Sequence, residues 1–366
     1  MQCPRIPEIS YGDFSRRLHE QVGNRRIPIT GSVEVTNRCN LRCAHCYINL
    51  PAGDQEERRR ELSLAQWRRL LEEITDAGCL WLLLTGGEPL LRPDFLDIYR
   101  YAKERGLLLS LFTNGTLITP AIADFLADWR PFQLEVTVYG MTAETYEAVT
   151  GVPGSFGKCM EGINLLMERR IHLAVKTMAM TLNVHELSAM QAWARGLGLE
   201  FRFDTDLTPR LDGSQCPCDL RLSPEDILSL DLADAGRRQE WRDLVARNLP
   251  LPHETDNLYH CDACIQNFHI DPWGQLSVCL MARTPAYSLV TGSFQDGWGD
   301  FLLQVRNQKA QSPSPCATCE LFVLCCNCPG FALLESGQAE STVEYPCRLA
   351  HLRAAAFGVH APDQSG

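Results

Sequence analysis

Between Ser32 and Asp206 the chain alternates short apolar runs with amphipathic stretches, six times over, and this rhythm restricts the fold more than any other feature. "SVEVT" (Ser32 to Thr36) alternates and reads as a strand. Ser63 then stands as an N-cap, and Trp67, Leu70, Leu71 and Ile74 recur at helical spacing before Gly78 stops the helix. "LWLLLTGGEP" is too short for a helix and ends in glycines, as a strand buried on both faces would. The order repeats through helices near 93–105, 121–129, 158–170 and 185–195. The strands between them are "LLLSLFTNG", "FQLEVTVYG", "IHLAVKTM" and "LEFRFDTD". Strand–helix repeats build a parallel sheet with crossover helices. Six steps fall short of the eight of a closed barrel. The expected fold is therefore α/β, a partial (β/α)6 TIM-like barrel.

After Asp206 the rhythm breaks. "LTPRLDGSQCPCDLRLSPED" is turn-rich and reads as a linker, followed by one or two polar helices up to about Asn248. The region from His260 to Leu349 has no long periodic element and is crowded with cysteine, so something other than a core is expected to hold it. The expected organisation is an N-terminal extension (1–31), the barrel (32–210), a linker with helices (211–258), a cysteine-rich domain with little regular structure (259–351) and a C-terminal tail (352–366).

The 17 cysteines in 366 residues are the compositional outlier. In a chain of this length without an apolar secretion signal, metal or redox chemistry is expected over a disulfide framework, and the cytoplasm is the expected compartment. A net charge of -11 gives no global basic footprint for nucleic acid. No apolar run approaches a membrane span. The charge run in "INLPAGDQEERRR" reads as a solvated face.

The first cysteines read "NRCNLRCAHCY", a Cys-x3-Cys-x2-Cys triplet of Cys39, Cys43 and Cys46. A cubane cluster is normally held by four thiolates, one per iron, so three leave one iron without a protein ligand. In zinc proteins a closed set is structural and an open position is catalytic. The incomplete set after a first strand thus points to an iron that binds substrate or cofactor. Here the chain resembles the radical S-adenosylmethionine superfamily. That resemblance implies that the open iron chelates S-adenosylmethionine, whose reductive cleavage yields a 5'-deoxyadenosyl radical that takes a hydrogen atom from the substrate.

"TGGEP" at Thr85 to Pro89 ends the second strand, on the face where such barrels carry their sites. Gly86 and Gly87 would let the backbone approach a ligand, and Glu88 could accept a hydrogen bond from the cofactor ammonium, as the resemblance implies. His45 occupies the position before the third cysteine, where the family usually has an aromatic residue near the adenine; a solvent-facing loop histidine is the other reading. Asn114 and Thr137 end strands on the same face. Lys176, in the fifth strand, is expected either to face the cofactor carboxylate or to be salt-bridged in the pore.

The later cysteines run Cys264-x9-Gly274-x4-Cys279, then Cys316-x2-Cys319-x5-Cys325-x2-Cys328, then Cys347, with Cys261 ahead of them. This resembles the SPASM extension of a subset of the superfamily. The resemblance implies one auxiliary cluster on Cys261, Cys264, Cys279 and Cys328 and a second on Cys316, Cys319, Cys325 and Cys347. With the first triplet that makes three 4Fe-4S clusters. The family's usual last spacing is x3, so Cys326 or Cys328 is the ligand there. Zinc ribbons are the competing reading, since Cys-x2-Cys pairs serve zinc as well. Gly274 fits a tight turn. Cys79 and Cys159 read as small core residues, and the "CPC" at Cys216 to Cys218 as a loop.

Members with this extension mostly modify ribosomally made peptides, so the resemblance implies a peptide-modifying oxidoreductase. Its expected partners are a substrate peptide and a reductase such as flavodoxin or ferredoxin. With 38 residues before Cys39, too few for a winged-helix module, leader recognition is expected from a separate protein or from the enzyme body. A sulfatase-maturase role is disfavoured, since that group carries an aspartate where this chain has Leu280. A small-molecule dehydrogenase, a porphyrin- or aminocyclitol-modifying enzyme and a non-enzymatic electron carrier are the remaining alternatives.

Overall fold

The computed structural model describes residues 9–23, 25–48, 50–248, 257–261, 263–311, 315–325 and 327–359. Six strands follow the expected order: β1 (Thr30–Thr36), β2 (Trp81–Gly86), β3 (Leu108–Thr113), β4 (Gln133–Thr137), β5 (Leu173–Met178) and β6 (Glu200–Asp204). Each is parallel to the next, from Thr30 opposite Trp81 to Ala174 opposite Glu200. The sheet closes no ring, so this is the partial barrel that six steps allow. Its apolar strand runs are buried, with Leu82, Leu84, Leu109, Leu111, Leu134 and Val136 wholly enclosed.

The helices stand where their periodicity puts them. Ser63 caps Leu64–Asp76 with a reciprocal capping box to Gln66, worth about 1 kcal/mol for such caps. Trp67, Leu70, Leu71 and Ile74 face the sheet. A helix unforeseen from the sequence, Tyr11–Val22, packs on the N-terminal ends of the strands, where Tyr11 and His19 meet Trp81. It covers the end of the barrel opposite the chemistry.

The cysteine-rich region differs from expectation in having more regular structure. Strand β7 (Asn267–Ile270) pairs in parallel with the free edge of β1, Thr30 opposite Asn267. It turns antiparallel into β8 (Gln275–Ser277), which pairs with β9 (Tyr287–Ser288), and the single sheet reaches nine strands. Phe268, Ile270, Leu276, Phe294 and Leu302 join the barrel's own core. Edge addition supplies the backbone partners and apolar contacts that so short a hairpin cannot supply itself. Gly274 (φ +78°) makes the expected turn, with Asp271 Oδ1 accepting from Trp273 N and Gln275 N, both at 2.9 Å. Farther on, helices Pro329–Ser336 and Glu344–Phe357 flank the last cysteines.

Candidate active site at the barrel mouth

The backbone leaves β1 at Thr36 and enters the cysteine loop under tight restraint. Gly87 N donates to Thr36 O at 2.7 Å and Glu88 N to Arg38 O at 3.0 Å. A Cβ on Gly86 (φ +133°) would lie 2.1 Å from Thr36 O, and one on Gly87 2.3 Å from Arg38 O. The glycines therefore serve first to seat the cysteine loop against the end of β2, and only second to line the cavity. Arg38, buried, donates to Glu61 at 2.8 Å and 3.1 Å, while Arg42 N and Ala44 N donate to Thr150 O and Val149 O, each at 2.9 Å. The loop is pinned on both sides, and Cys39, Cys43 and Cys46 face one cavity of about 410 Å³.

Burial pushes the Cys39 thiol up to about 12 and the Cys43 thiol well above its ordinary value, each reinforced by neighbouring anionic groups. Two thiols that resist ionisation, with Cys46 beside them, ask for a cationic centre to compensate them. His45 is enclosed, and burial lowers it to about 4, so its ring is neutral. It meets Tyr139 edge-on at 5.0 Å, and among the described residues its buried Nδ1 finds no hydrogen-bond partner. The solvent-facing reading of His45 is thus corrected: the ring lies in the wall of the cavity.

The same cavity is lined by Gly86, Gly87, Asn114, Thr137 and Lys176, as anticipated. Asn114 Nδ2 donates to Asn40 Oδ1 at 3.0 Å and approaches Cys39 Sγ at 3.7 Å, tying β3 to the cysteine loop. Lys176 Nζ pairs with buried Glu135 at 3.1 Å and sits 2.9 Å from the Phe112 ring centre. Burial lowers it to about 8 against that attraction; it is salt-bridged and lines the cavity, as one of its two readings expected.

Glu88 departs from expectation. Its carboxylate is wholly buried and does not border the cavity; it accepts from Thr113 Oγ1 at 2.8 Å, Asn114 N at 2.8 Å and Leu90 N at 3.1 Å. The expected direct contact with an ammonium gives way to a positioning role, because internal donors already surround it.

Sequence reasoning missed several cavity residues. Tyr139, two residues beyond Thr137, could have been read from the strand end "VTVYG". Asp204 and Asp206 end the sixth strand run. Leu280 and Met281 come from the turn after Cys279, and Leu334 from the helix after Cys328. Nothing local in the sequence marks these last three, because their chain partners lie far away.

The later cysteines fall into two neighbourhoods, which meet at a pocket lined by both Cys316 and Cys328. Cys264, Cys279 and Cys328 lie within electrostatic reach of Cys261 and of one another's neighbours, around Tyr259, whose hydroxyl burial and these thiols push up to about 12. Cys264 holds a left-handed backbone (φ +62°). Cys316, Cys319, Cys325 and Cys347 line a second, small cavity of about 30 Å³ with Phe322 and Asn327. Cys328 thus sits with the first set; Cys326 lies outside the described residues. Cys79 and Cys159 are core residues, and Cys216 and Cys218 occupy an exposed turn. Among the described residues no three His, Cys, Asp or Glu side chains converge as one metal ion requires. A zinc ion draws its thiolates to about 2.3 Å from one centre, whereas a cubane spreads one thiolate to each iron.

Residues 33–194 match the model of the Radical SAM superfamily. The mycofactocin maturase MftC of Mycobacterium tuberculosis is 28% identical over 307 residues, 81% of this chain and 77% of that protein. The AdoMet-dependent heme synthase of Methanosarcina barkeri is 35% identical over 169 residues, and the match spans 45% of this chain and 46% of that one. The fold is that of SuiB of Streptococcus suis in its S-adenosylmethionine complex, with a TM-score of 0.68 at 14% identity, covering 94% of this chain and 83% of SuiB. Residues 33–194 form a Radical SAM domain. The chain is an enzyme, similar to SPASM-type peptide-modifying radical SAM proteins.

Proposed function

We propose that this enzyme modifies a ribosomally synthesised peptide, abstracting a hydrogen atom on the way to a thioether, carbon–carbon or related cross-link, or to an oxidation. Cys39, Cys43 and Cys46 hold the 4Fe-4S cluster that binds S-adenosylmethionine, and the two four-cysteine sets hold two more. When bound, these groups supply a 5'-deoxyadenosyl radical and an acceptor for the electron left on the substrate. His45 and Tyr139 offer aromatic surface to the adenine, the Gly86–Gly87 backbone and Asn114 border the methionine moiety, and Lys176 faces its carboxylate. Glu88 holds Asn114 and the glycine turn in place.

One observation carries the reading: the turn after Cys279 puts Leu280 and Met281 into the cavity that Cys39, Cys43 and Cys46 line. A substrate there would touch the radical source and border the first auxiliary set. The match to MftC covers 81% of this chain and so reaches into the cysteine-rich region, whereas the heme synthase match is confined to under half of this chain. SuiB has also been crystallised with its precursor peptide SuiA, on the same fold at a TM-score of 0.68. These favour a peptide over a porphyrin. The partners we propose are the peptide, a flavodoxin or ferredoxin reductase, and a separate leader-binding protein, in the cytoplasm. Among the described residues no helix is long and apolar enough to cross a membrane.

The test is anaerobic reconstitution with iron and sulfide, then dithionite, S-adenosylmethionine and the candidate precursor peptide. The expected results are about twelve irons per chain, 5'-deoxyadenosine, and a peptide mass shift. Stoichiometric zinc, or no cleavage of S-adenosylmethionine, would end the proposal.

A further inference from the structure

Arg283 lies in the turn that follows Cys279. Its guanidinium forks onto the Glu34 carboxylate, Nη1 to Oε2 at 2.7 Å and Nη2 to Oε1 at 2.8 Å, across 249 positions of sequence. The third arm, Nε, donates to the Leu280 carbonyl at 2.8 Å. Glu34 is buried in β1, and Tyr47, the residue after Cys46, donates its hydroxyl to the same carboxylate at 2.8 Å. The Tyr47 carbonyl in turn accepts from Leu211 N at 3.0 Å. One carboxylate thus joins the first barrel strand, the cysteine loop and the Cys279 turn.

The far side of that turn is also held. Cys279 Sγ accepts from Ala282 N at 3.3 Å. Gly330, just after Cys328, packs so closely that a Cβ there would lie 3.0 Å from Ala282 N and 3.2 Å from Met281 Cβ. Leu280 and Met281 are clamped between the two contacts and present an apolar wall to the cavity.

We infer that Arg283 is a positioning residue: fastened to Glu34, it fixes the separation between the cysteine loop and the Cys279 turn, and with it the apolar wall that meets the substrate. The inference rests on the cluster assignment above and goes beyond it by naming the residue that sets the spacing. A planar two-point fork fixes orientation as well as distance, which a lysine's single point charge does not. An exposed pair would restrain little; here the Glu34 side chain is 0% exposed and that of Arg283 16%. The wall it holds has no hydrogen-bonding side chain, so the substrate segment packed there is apolar and not charged.

The test needs no substrate. Wild type, Arg283→Lys, Arg283→Met and Glu34→Gln are reconstituted anaerobically with iron and sulfide, given S-adenosylmethionine and reduced with dithionite. Pulsed dipolar EPR then reads the separation of the reduced clusters, with iron content measured alongside. The expected result is a narrow interaction between the cluster of the cysteine loop and that of the Cys279 set in wild type, broadened or lost in Arg283→Met and Glu34→Gln at unchanged iron, and shifted less in Arg283→Lys. An unchanged interaction in the arginine variants overturns the inference. Should Arg283→Met not fold, Arg283→Lys decides alone: a wild-type spectrum from it overturns the inference, and a shifted one supports it. A wild type that builds no cluster on Cys39, Cys43 and Cys46 fails at the earlier step and brings down the proposed function as well.

Discussion

The Glu88 carboxylate accepts the Asn114 backbone N–H and the Thr113 hydroxyl, both at 2.8 Å, and so joins the end of β2 to the end of β3. Burial raises the carboxyl from its ordinary 4.5 to about 7, outweighing the three donors that favour its ionised form. The sign follows. A folded-state value above the unfolded one contributes stability that is complete below about pH 4.5 and lost as the pH rises through about 7. Melts of the metal-free protein across that window should fall with pH, and Glu88→Gln should flatten the fall. Glu88→Ala should cost about 1–3 kcal/mol for each buried donor it strands. A parent and a Glu88→Gln variant with parallel melting profiles would contradict this.

Gly87→Ala tests the seating of the cysteine loop. Its Cβ would lie 2.3 Å from Arg38 O, a backbone atom one residue before Cys39. The loop must move to admit it. We expect loss of about four of about twelve irons and of S-adenosylmethionine cleavage, with both auxiliary clusters retained. Full iron content and normal cleavage in this variant would show that the close approach is not needed.

The barrel was legible because each buried parallel strand is a short apolar run and each crossover helix repeats at 3.6 residues. The three thiols of the loop were legible because their spacing is local; the division of the later cysteines came from the family resemblance alone, since Cys328 stands far along the chain from Cys261, Cys264 and Cys279. The hairpin of β7 and β8 was not: its strands are three or four residues long, and what makes them strands is the edge of β1, more than two hundred residues earlier. The Glu34–Arg283 pair was hidden for the same reason, since neither residue carries a mark of its partner. Glu88 was misread because a sequence shows that a carboxylate is near a site, but not which way it turns. Gly86 and Gly87 were read as open to a ligand, whereas the crowding that demands them comes from Thr36 and Arg38.

Lys176 gives a pH dependence of the opposite kind. Burial lowers its ammonium to about 8, while Glu135 pulls the other way. Above that pH the site loses its cation. If Lys176 faces the cofactor carboxylate, S-adenosylmethionine affinity should fall as pH rises through about 8. Lys176→Met should bind roughly 10-fold more weakly at neutral pH, the equivalent of about 1.4 kcal/mol, and without that pH dependence. Glu135 keeps Arg202 Nη2 at 2.5 Å in the variant, which limits the damage to the fold. Isothermal titration at three pH values decides it; an affinity in the variant equal to that of the parent throughout removes Lys176 from the cofactor.

In the proposed function the set of Cys261, Cys264, Cys279 and Cys328 holds a cluster beside the substrate, and that role is open to a direct measurement. Hydrogen abstraction leaves a carbon radical on the peptide. Closing a cross-link or a double bond then requires the loss of one more electron and a proton. A cluster with all four irons held by thiolates has no vacant iron, so it suits acceptance of that electron and not ligation of the substrate. Cys279 supplies one thiol of the set, and the two residues after it line the cavity. Cys279→Ala should therefore keep forming 5'-deoxyadenosine from S-adenosylmethionine while the modified peptide disappears. The variant should also lose about four irons, leaving the clusters of the cysteine loop and of Cys316, Cys319, Cys325 and Cys347 in place. Nucleoside and peptide products followed together by mass spectrometry give the ratio. A soluble Cys279→Ala protein that lacks this cluster yet makes normal product would assign the cluster a purely structural part, bracing the turn between β8 and the helix that follows Cys328.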